Sequence, residues 1–125
     1  MSDSDTQLIG WLHRMSALSD EDLVSQFDNS CKDRLVRLVE RCVPVESVPA
    51  DLSPWEFACW VNDLRSSEKE WNRALGNVLL KVADAERHSN PDTAIDILRE
   101  FVVKCPWIPL SEIAREELRR FGGSA

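Results

Sequence analysis

Side chains able to do acid–base, nucleophilic or metal chemistry are few in type and scattered along this chain. It carries two histidines, His13 and His88, and four cysteines, Cys31, Cys42, Cys59 and Cys105. Nucleophilic catalysis needs a nucleophile beside a base, usually with a third group to orient the base. Neither histidine stands in a recognisable nucleophile motif, so the spacing predicts no triad. No two cysteines form a C-x-x-C pair and no histidine lies near one in sequence, which argues against zinc. A carboxylate-bridged metal site in a helical bundle wants Glu-x-x-His pairs, and neither histidine has Glu three residues before it. Phosphate-cradling loops need glycines between a strand and a helix, and Gly10, Gly76, Gly122 and Gly123 supply no such loop. The reading assigns no cofactor, no metal ligand and no catalytic residue. Its enzymatic alternative is a metal-dependent site assembled from scattered acids.

Carboxylates are abundant. The chain has 22 acids and 15 bases, a net charge of −7. Glu68 with Glu70, and Glu116 with Glu117, are interleaved with Lys69, Arg73, Arg119 and Arg120, which reads as solvated, salt-bridged helical faces. The excess is uneven: residues 1–30 hold Asp3, Asp5, Asp20, Glu21, Asp22 and Asp28 against Arg14 alone. Such a balance disfavours nucleic acid and anionic membranes as partners and favours a basic protein. Asp20, Glu21, Asp22 and Asp28 are therefore candidate partner-binding residues. Five tryptophans and no tyrosine make the indoles the other informative group. Trp11, Trp60 and Trp71 fit inward helical stripes. Trp55, at a helix start, and Trp107, between two prolines, are the candidates for partial exposure and partner contact.

The elements that must position these residues read as helices throughout. Apolar residues recur at spacings of three and four, whereas strand alternation and hairpin turns are missing. The expected architecture is all-α: one domain over residues 1–125, six or seven short-to-medium helices in an irregular bundle, loose at 1–5 and 122–125. A first helix is expected over residues 6–17. Ser19 followed by Asp20, Glu21 and Asp22 reads as an N-cap with acids at the positive end of the helix dipole. A third helix is expected over 31–42 and a proline-containing loop over 43–52. Ser53-Pro54-Trp55-Glu56 combines an N-cap, a proline at the first helical position and a capping-box glutamate. Ser67-x-x-Glu70 repeats the spacing and predicts a break and a new helix there. Asn90-Pro91 opens a helix over 91–104, and Ser111 caps a last helix over 112–121, closed by Gly122. His88, with Arg87, falls in a last turn, where positive charge suits the carbonyl end. The cysteines read as buried thiols, suited to a reducing compartment.

The acidic start Met-Ser-Asp-Ser-Asp-Thr and the short apolar runs predict neither a secretory signal nor a membrane span, so a cytoplasmic location is expected. In size, acidity and helix content the chain resembles bacterial immunity proteins. That resemblance implies electrostatically steered binding to a basic toxin domain. The alternative from another class is a helical adaptor that holds a peptide in a groove, with Trp55 or Trp107 as anchor.

Overall fold

The computed structural model describes residues 3–122, so residues 1 and 2 and residues 123–125, parts of the loose ends expected at 1–5 and 122–125, lie outside the described residues. Six helices make up the fold: α1 (Asp3–Ser16), α2 (Asp20–Gln26), α3 (Asn29–Cys42), α4 (Pro54–Arg87), α5 (Pro91–Lys104) and α6 (Ile108–Arg120). The described residues contain no strand, and the class is all-α, as the patterns predict. Contacts divide the chain into two compact units, residues 1–68 and 69–125.

Unit 1 contains α1, α2, α3 and the first part of α4. Its core forms around Phe57, which is fully buried, with Trp11 at 6.3 Å and Phe27 at 5.0 Å between ring centroids, both tilted. Leu12, Leu23, Leu35, Leu38 and Val61 fill the same interior without measurable exposure. Unit 2 contains the rest of α4 with α5 and α6. There Leu98, Leu118, Val82 and Trp107 are the largest fully buried side chains, and Trp71 meets Phe101 edge-on at 5.9 Å.

Short polar side chains set most of the helix starts. Ser19 Oγ accepts from the Asp22 amide at 3.1 Å, and Asp28 Oδ1 from the Cys31 amide at 2.8 Å, which starts α3 two residues earlier than expected. At Ser53 the capping box closes in both directions: Ser53 Oγ accepts from the Glu56 amide at 3.2 Å, while Glu56 Oε1 accepts from the Ser53 amide at 3.0 Å. The Cys31 amide holds the Asp28 carboxyl below its ordinary value, and hydrogen bonding from the Ser53 side chain and amide does the same for Glu56. α1 begins at Asp3 rather than near residue 6, so residues 3–5 form its first turn.

Two further expected boundaries are wrong. α4 runs without a break through Ser67, because neither glycine nor proline interrupts residues 61–70 and nothing there competes with helix propagation. α6 starts at Ile108 rather than residue 112. Ser111, expected as its cap, is buried, and its Oγ donates to the Val102 carbonyl in α5 at 3.5 Å. Pro109 sits in the first turn, where its missing N–H has no helical partner to lose.

α4 ends in a Schellman motif built on a serine. The Asn90 amide donates to the Ala85 carbonyl at 2.9 Å and the Ser89 amide to the Glu86 carbonyl at 3.0 Å, with Ser89 at φ +54°. Asn90 then turns cap, its Oδ1 accepting from the Thr93 amide to start α5. At the end of α6, Gly122 takes the expected left-handed conformation, φ +73°.

Two outcomes follow from these helix ends. Ser89→Gly should stabilise unit 2 by about 1 kcal/mol, because glycine adopts the left-handed conformation without the Cβ penalty; the thermal midpoint checks this, and a fall would place the φ elsewhere. Carboxyls with depressed folded-state pKa values give stability that is present above their unfolded values, ordinarily 3.8 and 4.5 here, and lost as pH falls through the folded ones. Urea midpoints should therefore hold from pH 7 down to about 4.5 and drop below it, with Asp28→Asn, still a competent cap, showing the smaller drop.

Candidate functional site

The acids at the start of α2 and Trp55 at the start of α4 lie far apart in sequence, and a hydrogen bond links their two helices. Asp20, Glu21 and Asp22 are all exposed on the first turn of α2. Asp20 Oδ1 accepts from Asn62 Nδ2 of α4 at 2.8 Å. Helical spacing places Trp55, Cys59 and Asn62 on one face of α4, at i, i+4 and i+7. Trp55 is 59% exposed and Cys59 is exposed with it. The acidic turn is thus tied by a hydrogen bond to the face of α4 that carries the open indole, all within unit 1. Glu21 and Asp22 form no ion pair among the described residues.

Two other expected contact residues are placed differently. The Asp28 carboxylate is engaged by the Cys31 amide and serves as the cap of α3. Trp107 was expected to be partly exposed, and that expectation is corrected: its exposure is 0%. It occupies the N-cap position of α6 in extended backbone, φ −85° and ψ 107°, between Pro106 and Pro109. The reversal from α5 into α6 turns the indole inward, and its carbonyl accepts from Cys105 Sγ at 3.6 Å. Burial of a whole indole contributes on the order of 3 kcal/mol, which gives Trp107 a packing role in unit 2.

Sequence reasoning missed Glu68. Expected on a solvated face, it is only 8% exposed, and Oε1 takes two short contacts of 2.7 Å: one from Arg65 Nη1 one turn earlier in α4, one with His13 Nε2 of α1. A buried carboxylate must be matched by donors, and these two supply them. His13 thereby ties α1 to α4. The signal in the sequence is the spacing Arg65-x-x-Glu68, overlooked because Ser67-x-x-Glu70 competed with it.

The thiols divide. Cys42 and Cys105 are buried, Cys31 is half-buried and Cys59 is exposed, so burial of all four does not hold. Burial, with the Asp28 carboxylate beside it, pushes the Cys31 thiol up, and burial does the same to Cys105. Both then stay protonated at neutral pH, as donors to the carbonyls of Gln26 and Trp107 rather than as nucleophiles. His88 sits at the end of α4 with Nδ1 2.8 Å from the Asp84 carbonyl. Among the described residues no three His, Cys, Asp or Glu side chains converge as metal ligands, and no helix is long and apolar enough to cross a membrane. Comparison with family models, with curated proteins and with solved structures yields no match.

Removing the Glu68 carboxylate leaves Arg65 without its counter-ion in a largely covered position, so Glu68→Ala should cost about 2 kcal/mol. His13, 43% exposed at its side chain, regains water when its partner is lost, and His13→Ala should cost about 1 kcal/mol or less. Urea unfolding of the two variants reads this order. Equal and negligible losses would mean that the carboxylate is solvated.

Proposed function

We propose that unit 1 is a protein-binding module whose docking surface is the α2–α4 face carrying Asp20, Glu21, Asp22 and Trp55, and that its partner is a basic protein. The observation that carries this reading is the Asn62–Asp20 hydrogen bond, which ties the acidic first turn of α2 to the helix that carries, two turns earlier, a tryptophan left 59% open to solvent. Exposed indoles are the commonest energetic anchors of interfaces, and clustered charge of one sign accelerates encounter with an oppositely charged partner. A net charge of −7 extends the same bias over the whole chain. The most specific form of this activity is that of an immunity protein, which neutralises a basic toxin by occupying it. Buried Trp107 takes no part, and Asp28 contributes its field rather than a free contact.

The test compares wild-type chain with two variants as immobilised bait, followed by kinetics on the basic protein retained and by its co-expression with each variant. Charge reversal at Asp20, Glu21 and Asp22 to Lys should slow association about tenfold at low salt and flatten its salt dependence. Trp55→Ala should speed dissociation about tenfold or more, with the thermal midpoint unchanged because the ring is exposed. Wild type, and not the variants, should relieve growth arrest caused by the partner. A partner held equally by all three chains would remove this surface from the mechanism.

A further inference from the structure

Unit 1 holds five arginines, and two of them are paired, Arg41 with Asp5 and Arg65 with Glu68. The other three, Arg14, Arg34 and Arg37, form no ion pair among the described residues. All three line one cleft of about 330 Å³ between α1 and α3. The helices run antiparallel there: Asp5 near the start of α1 pairs with Arg41 near the end of α3, while Arg14 from the last turn of α1 shares the cleft with Arg34 from the first half of α3. Leu8 and Trp11, both buried, form its floor, and Ser4 and Gln7 add a hydroxyl and an amide at its edge.

Gly10 belongs to the same arrangement. A Cβ at Gly10 would stand 3.4 Å from Arg14 Nη1, so this guanidinium lies back along α1 over bare backbone, the direction in which helical side chains lean. Three guanidinium groups gathered with no carboxylate in ion-pair contact among the described residues repel one another, in a chain that has 22 acids to 15 bases. Asp33, in a shallow depression beside Arg37, forms no ion pair with it, and Asp28, whose carboxylate is engaged at the Cys31 amide, feels Arg34 without an ion-pair contact. An anion from outside would relieve the repulsion.

We propose that this cleft binds a small phosphate-bearing ligand whose phosphoryl oxygens are held by Arg14, Arg34 and Arg37. Guanidinium forks arriving from two helices surround a tetrahedral oxyanion from several directions, whereas a planar carboxylate is satisfied by one bidentate arginine. The ligand is small because the cleft is at the lower end of ligand-site volumes and because the acidic surface outside it repels an extended polyanion. This site is independent of the α2–α4 face, and neither reading depends on the other.

Calorimetric titration of the full chain with inorganic phosphate, pyrophosphate and citrate at low salt tests it. Pyrophosphate should bind with Kd of about 0.1 mM or tighter, and at least about tenfold tighter than citrate. Arg14→Gln and Arg37→Gln should each weaken it about tenfold by removing a charge-assisted donor, with the thermal midpoint held because both side chains are exposed. Arg115→Gln, an exposed charge of unit 2, should leave affinity unchanged. The absence of saturable heat, equal affinity for citrate, or an equal loss in Arg115→Gln would each overturn the proposal.

Discussion

Every helix leaves backbone donors unsatisfied at its start and acceptors unsatisfied at its end, and in an all-α chain no sheet ladder can take them up. The structure depends on how those ends are closed. Ser19, Asp28, Ser53 and Asn90 each accept from an amide of the first turn, and they thereby fix where α2, α3, α4 and α5 begin. Once a start is fixed, the 3.6-residue period decides which side chains point inward. Phe57 reaches the centre of unit 1 because Ser53 starts α4 four residues before it. The same register turns Trp55 outward. Exposure of the indole and burial of the phenyl ring therefore share one cause, a two-way hydrogen bond between Ser53 and Glu56.

This dependence also explains what the sequence could and could not reveal. Ser53-Pro54-Trp55-Glu56 was legible because three signals agree there, whereas Ser67-x-x-Glu70 offered spacing alone and no breaker before it. The uninterrupted α4 follows from the lack of any residue that ends a helix. At the last helix the local signals conflicted. Ser111 looked like a cap, but Pro109 is compatible with a first turn, and Ser111 is needed by the Val102 carbonyl of α5. That demand arises only once α5 and α6 fold back on each other, which no local capping pattern encodes. Trp107 fails for the same reason: two flanking prolines predict irregular backbone correctly, yet the direction of the indole depends on α5 and α6 folding back on each other. Of the candidate surface, the residue types were legible and the adjacency of Asp20 to the α4 face was not, since it rests on one hydrogen bond across 42 residues.

Charge shows the same division between local and global causes. A net of −7 describes the chain as a whole, but fields between exposed charges fade over a Debye length of about 8–10 Å. What a partner meets is set by which charges the fold has already neutralised. Arg41, Arg65, Arg87 and Arg120 are each held by a carboxylate, as is Lys104. Glu86 and Glu100 lie below the ordinary carboxylate range because Arg120 and Lys104 donate to them. These pairs subtract from the surface potential in equal measure of both signs.

What remains unpaired in unit 1 is therefore more informative than the total. On the α2–α4 side the residue is negative, with Glu21 and Asp22 in no ion pair among the described residues and an open indole on the neighbouring helix. On the α1–α3 side it is positive, with three arginines around a cleft floored by Leu8 and Trp11. Three like charges brought to one cleft add their fields over distances shorter than a Debye length, so the cleft keeps its positive character despite the acidic total. A helical unit of this size can present opposite potentials on different helix pairs because each pair buries its own stripe. The stripes that build the core leave the outward positions free to differ, and the sign of each surface is decided by the few side chains that no neighbour has claimed.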